Sequence, residues 1–257
     1  MSSDPKREPE KRSSRDNHAL WFTRDTLSQA FTLGGCAVCS AVHVAERKAI
    51  HSFLREGMMF PHVRKQFLDG GGFCLRHFWM AKEIEDISWQ TGGFGLAILC
   101  EDLTRLAHSG LDELASPQSN PRPALLKRRQ QARGFMPGRD CMFCQDNREK
   151  ETFLTDVLEE LAGEDAFQKP LANQGFCIRH GQLAVERWKD SPERTALSSR
   201  LQLQITELAA DLREFMRKRD CQYRQEPAGR EHDSLLRAMH FFVGPNPCRN
   251  EEKKQLP

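Results

Sequence analysis

A chain of 257 residues is long enough to bury a substantial core, in one large domain or two smaller ones. Hydrophobic residues at 39% and charged residues at 29% describe a rather polar protein built from amphipathic helices, and a formal charge of +2 gives no reason to expect a polyanion as obligatory partner. Residues 1–17 lack the apolar stretch of an export signal, and the longest apolar run, residues 92–100, stops at Glu101, so the expectation is a cytoplasmic protein without a membrane span.

Residues 1–17 mix charge, Ser and Pro without apolar periodicity and are expected to be disordered. Residues 18–32 carry Leu20, Trp21, Phe22, Leu27 and Phe31, a pattern for a short amphipathic helix ending at Gly34-Gly35. Residues 40–55 follow with Val44, Ile50, Phe53 and Leu54 among charges, and Gly57 ends that helix. Pro61 opens a shorter helix through Leu68; after Gly70-Gly71-Gly72 another spans residues 73–87, with Trp79 and Met80 expected toward the core. A fourth runs to about Ala115 on the stripe Leu96, Leu99, Leu103 and Leu106.

Residues 116–123, with three prolines, form the clearest linker, and residues 124–133 are basic, with Lys127, Arg128, Arg129 and Arg133. The order of parts then repeats: a helix over 145–161, a stop at Gly163, a short segment interrupted by Pro170, and a helix over 176–188. Ser191-Pro192 starts the longest helix, whose Leu201, Ile205, Leu208, Leu212 and Phe215 form a seam able to pack internally or against a second chain. A last helix over 233–243 has Leu235, Met239 and Phe242 on one stripe and ends at Gly244-Pro245. With no strand series in view, the expected fold is all-α, as two pseudo-repeated helical units. Their bounds are a charged N-terminus 1–17, a first repeat 18–116, a linker with basic helix 117–140, a second repeat 141–225, a closing helix 226–244 and a polar tail 245–257.

Nine cysteines in a chain without an export signal favour metal binding or thiol chemistry over disulfides, and six of them fall in the repeats. Cys36-Ala-Val-Cys39, a spacer and Gly72-Phe73-Cys74-Leu75-Arg76-His77 return as Cys141-Met-Phe-Cys144, a spacer and Gly175-Phe176-Cys177-Ile178-Arg179-His180. Thiolates and imidazoles in groups of four suit a tetrahedral metal of borderline softness. Grouped by copy, the ligands are Cys36, Cys39, Cys74 and His77, then Cys141, Cys144, Cys177 and His180, each quartet stapling its own unit; ligands exchanged between the copies satisfy the same eight residues. Two structural Zn²⁺ ions per chain are the leading expectation, and an iron–sulfur cluster is the alternative. Ser40 and Gln145 stand where haem attachment requires His, and the βαβ context of thioredoxin-like redox pairs is missing.

Glu46 and Glu151 each lie seven residues past the second knuckle cysteine. They are candidate partners of the ligand histidines, although a solvated helix glutamate is the plainer expectation. Arg76 and Arg179 flank those histidines, to offset thiolate charge, receive an anion or form surface salt bridges. His43, matched by Arg148 in the second copy, reads as a surface residue. Phe73 and Phe176 read as core residues shielding the sulfurs, and Cys100 as a small core hydrophobe.

These motifs resemble a family of uncharacterised bacterial proteins, a domain of unknown function whose members carry Cys-x-x-Cys, a helical spacer and Gly-Phe-Cys-x-x-His twice, then a closing helix ending in Val-Gly. The similarity spans roughly residues 35–244 and departs at the N-terminus and at residues 116–123; it implies the fold and the ligand set but no activity. With four protein ligands closing each site, the expectation is a non-enzymatic zinc-binding module for a protein partner. The alternatives are an iron–sulfur redox accessory protein, or a nucleic-acid binder acting through residues 127–133 and 213–219.

Overall fold

The computed structural model describes residues 14–88, 93–115, 136–223 and 225–244. Among the described residues there are ten α-helices and no strand: α1 Ser14–Thr32, α2 Ala37–Arg55, α3 Pro61–Asp69, α4 Leu75–Ser88, α5 Phe94–Ala115, α6 Met142–Leu161, α7 Asp165–Gln174, α8 Ile178–Arg187, α9 Pro192–Arg217 and α10 Ser234–Val243. Short 3-10 turns at Gly57–Met59 and Arg230–Asp233 precede α3 and α10. The expected linker and basic helix at 116–133, and the tail with Cys248, lie outside the described residues. The helix expected from residue 18 already begins at Ser14, inside the stretch expected to be disordered.

The described residues divide into two compact units, one drawn from residues 14–41 with 151–244 and the other from residues 42–150. The boundaries between them fall inside α2 and α6. Each of these helices gives its N-terminal part to one unit and the remainder to the other.

In the unit containing residues 42–150, the core is aromatic. Phe53, Phe67, Phe73 and Phe143 are all buried, with ring centroids 5.1 Å apart for Phe53–Phe67, 4.9 Å for Phe67–Phe73 and 5.2 Å for Phe73–Phe143. Edge-to-face and offset contacts at these separations add to the gain from area burial. Leu96, Leu99 and Leu103 of α5 close this core as the stripe predicted, while its fourth member, Leu106, is 39% exposed; the N-terminus of α5 is capped from α4, where Glu85 accepts from the backbone N–H groups of Gly95 and Leu96 at 2.6 and 3.2 Å. Met80 is buried but Trp79 is 70% exposed, so only one of the two expected core residues of α4 faces inward. Adjacent helix positions diverge by about 100°, and both cannot point the same way. Cys100, expected in the core, is exposed.

In the other unit, α1 packs on α7 through Phe31 and Phe167, and α9 packs on α8 and α10. Ser191 caps α9, its hydroxyl accepting from the Arg194 N–H at 3.2 Å. Leu201 and Leu208 of the expected seam are buried here, while Ile205 is 44% exposed. Pro170 does not interrupt its segment: it sits inside α7. The carbonyl it leaves unpaired belongs to exposed Ala166, where water can serve it. The closing helix is rotated from expectation. Ser234, Ala238 and Phe241 are buried, whereas Leu235, Met239 and Phe242 are 54%, 54% and 60% exposed. Both sets step by four and three, so periodicity could not choose between them; Arg237, paired with Asp211 of α9 at 2.9 Å, sets the orientation.

Candidate metal centres

All four motifs begin in the same way. Cys36, Cys74, Cys141 and Cys177 stand directly before α2, α4, α6 and α8, and each carbonyl accepts a helical N–H: from Ser40 at 3.1 Å, Phe78 at 2.9 Å, Gln145 at 3.2 Å and Gly181 at 2.8 Å. Cys39, His77, Cys144 and His180 follow three residues later, so each motif presents two ligand atoms on one face of a helix's first turn. Unpaired N–H groups at helix N-termini favour negative charge, which suits thiolates.

The eight side chains gather as two quartets, each with its ligand atoms within 4.8 Å of one another, and each quartet is able to hold a metal ion. Their composition corrects the grouping by copy. One quartet is Cys36, Cys39, Cys177 and His180; the other is Cys74, His77, Cys141 and Cys144. Each Cys-x-x-Cys of one copy meets the Cys-x-x-His of the other. Local spacing places ligands in pairs, but which pairs meet is decided by the packing of distant helices.

In the first quartet the Sγ of Cys36, Cys39 and Cys177 lie 3.4, 3.2 and 3.2 Å from His180 Nδ1, and Cys39 and Cys177 Sγ are 3.5 Å apart. In the second, Cys74, Cys141 and Cys144 Sγ lie 3.2, 3.3 and 3.5 Å from His77 Nδ1, with Cys74 and Cys144 Sγ 3.6 Å apart. A tetrahedral ion with sulfur at about 2.3 Å and nitrogen at about 2.0 Å has edges of roughly 3.5–3.8 Å, so both quartets are close to the size of one coordination sphere.

Electrostatics agree with that fit. Hydrogen bonding with Cys177 and Cys36 drives the Cys39 thiol far above its usual range, while Cys36, Cys39 and His180 drive Cys177 far below it. In the second quartet burial works to raise Cys141, but its hydrogen bond with His77 brings it down to about 6; burial beside Cys141 and Cys74 pushes Cys144 up to about 12. Three sulfurs this close cannot all be anionic by themselves, and a cation at the centre removes the conflict.

Glu46 is not the solvated helix glutamate that its sequence position suggested. It is fully buried, and its carboxylate accepts from His77 Nε2 at 2.5 Å, from Arg76 and from Asn147 Nδ2. Burial alone would raise this carboxyl, yet its histidine neighbours and the charge of Arg76 hold it at about 2. An ionised acceptor on Nε2 keeps that proton in place and turns Nδ1 toward the sulfurs. His43, only half-buried, lies 3.7 Å from the same carboxylate.

Glu151, by contrast, is 3.6 Å from His180 Nε2, beyond hydrogen-bond length, and Arg179 holds its other oxygen at 2.5 Å. The buried His180 Nε2 has no hydrogen-bond partner among the described residues. Arg76 and Arg179 thus form ion pairs between helices, not along one helix. Asn147 was missed from sequence; its only signal is that it stands at the position where the first copy has Val42, an apolar residue without a donor.

The two centres also differ in their entry loops. In the second, Gly138 N–H donates to Gly71 O at 2.7 Å and Asp140 N–H to Gly70 O at 3.0 Å, and this backbone lacing sets Cys74 beside Cys141. Gly138, at φ 63°, lies so close that a Cβ there would be 2.4 Å from Cys74 Cα, so only glycine serves. Among the described residues no backbone hydrogen bond joins Gly34-Gly35 to Gly175 at the first centre.

Part of the basic stretch at 213–219 is committed internally. Arg217 pairs with Glu214 and Glu226, Lys218 with Glu231 at 2.8 Å, and Arg219 stacks 4.6 Å over the Phe215 ring. No single helix among the described residues is long and apolar enough to cross a membrane.

No curated protein and no solved structure matches this chain. A family model does, over residues 26–249, a span that contains both quartets and the closing helix. The chain therefore belongs to the family of unknown function DUF6062.

Proposed function

We propose that the protein is a non-enzymatic zinc-binding scaffold, carrying two structural Zn²⁺ ions in Cys₃His sites and presenting its helices to a protein partner in the cytoplasm. The observation that carries this reading is the closure of each quartet: four protein donors at the edge lengths of one tetrahedral ion, with no fourth position left for substrate or water. Zinc bound there would supply cross-linking charge and no redox chemistry. The chain's own part is to hold the donors, through two helix N-termini per site and, at His77, the Glu46 carboxylate. The same distances weigh against an iron–sulfur cluster, which spreads its thiolates over separate iron atoms and so separates the sulfurs by more than one tetrahedral edge.

Metal analysis of the full chain purified anaerobically tests the reading. Two zinc ions per chain in a colourless preparation, with helicity lost on chelation, is the expected result. Iron with visible absorption, or full helicity after metal removal, would overturn it.

A further inference from the structure

We propose that the unit holding Cys36, Cys39, Cys177 and His180 carries a binding site for a small, multiply charged anion, a phosphate ester or a polycarboxylate, directly over its metal centre. The site is a cavity of about 340 Å³ lined by Cys36 and Cys177 of the quartet and by residues of α9 and α10. Gly35 and Gly175 also line it, whereas at the other centre backbone bonds from Gly138 and Asp140 tie the loops together. Three guanidinium groups line it, from Arg200, Arg230 and Arg237, against one carboxylate, Glu207.

Two of these guanidiniums are held in place. Arg230 bonds Glu207 at 2.9 Å, and Arg237 bonds Asp233 and Asp211 at 2.7 and 2.9 Å, so each is oriented before a ligand arrives. Arg200, Gln204 and His240 also line the cavity, and none of their side chains has a hydrogen bond or ion pair with another described residue. Glu207, Asp211 and Asp233 offset the charge of Arg230 and Arg237, so the free charge is that of Arg200; with the donors of Gln204 and His240 beside it, it recognises an anion with several oxygens, since arginine forks match phosphate and carboxylate geometry. The volume admits a small molecule and suits a ligand with two or more charged groups. Gly175, at φ 68°, brings the chain within 3.1 Å of Gln204 Oε1 when a Cβ is built there, so the glycine keeps this wall open.

The inference does not depend on which metal the quartet holds. Calorimetric titration of the metal-loaded full chain with inorganic pyrophosphate, and separately with citrate, tests it, with metal content measured on the same samples. Saturable one-to-one binding of at least one probe is expected, and the probe that binds tells phosphate from carboxylate recognition. Arg200→Glu should weaken it about 10- to 100-fold, the loss of a charged hydrogen bond, without changing metal content or thermal unfolding. Arg64→Glu in the other unit should leave binding unchanged. Absence of saturable binding by both probes in metal-loaded protein overturns the site, as does binding insensitive to Arg200→Glu and Gln204→Ala together. Loss of metal in the parent protein counts against the metal reading instead.

Discussion

The two candidate metal centres share motif, donor set and helix-terminal placement, yet one is braced and the other open. Around His77, Glu46 is fully buried and takes hydrogen bonds from three residues, and glycine loops lace the entry. Around His180, the corresponding Glu151 falls short of the ring nitrogen, and a cavity stands over the sulfurs. A duplicated motif therefore conserves the donors while their support diverges, and the support controls how tightly a ligand histidine is aimed. One substitution position explains much of it: Asn147 gives Glu46 a third donor, and Val42 at the equivalent place in the first copy has none to offer.

The largest test removes what the centres share. Stripping both ions with a strong chelator should abolish most far-UV circular dichroism, because structural zinc is worth about 10–16 kcal/mol in small metallo-domains, against a total stability of about 5–15 kcal/mol for a typical domain. A smooth, fully helical metal-free state would remove the premise of the comparison.

Next come variants that break one centre at a time. Cys141→Ser should leave one metal ion per chain and raise amide hydrogen exchange mainly in α3, α4 and α5. Cys177→Ser should do the same in α7, α8 and α9. If the ligands were grouped by sequence copy, Cys177→Ser would instead disturb Cys141 and Cys144, and exchange mapped by mass spectrometry separates the two outcomes.

Smaller effects address the bracing itself. Glu46→Gln is expected to lower metal affinity at its centre by about 10- to 100-fold, and Glu151→Gln by less than about tenfold, measured by competition with a chromophoric chelator. Asn147→Val, which makes the braced centre resemble the open one, should cost about 1–3 kcal/mol by leaving the buried carboxylate short of a donor. Equal losses for Glu46→Gln and Glu151→Gln would show that the brace does no more than a distant charge.

Two tryptophans serve as local probes, the second with the smallest expected effect. Trp188 is buried and donates to Thr155 O at 3.0 Å, so Trp188→Phe should destabilise its unit by about 1–3 kcal/mol in urea melts. Trp79, 70% exposed, should tolerate Ala within about 0.5 kcal/mol.

The ligand types and the all-α class were legible in the chain because they are local, but the helices expected from residues 40 and 145, after each Cys-x-x-Cys, begin at Ala37 and Met142, so the knuckle is the helix's own first turn and its two cysteines share a face. Glu46 was visible only as a candidate, since sequence carries no burial for a single polar residue in an amphipathic helix. Three things were decided by tertiary structure alone: the exchange of ligand pairs between copies, the clamp from Asn147, and the face that α10 buries. In each, the sequence offers two local solutions of nearly equal quality. The choice falls to contacts between residues 64 to 144 positions apart, or, for α10, to an ion pair with the neighbouring helix.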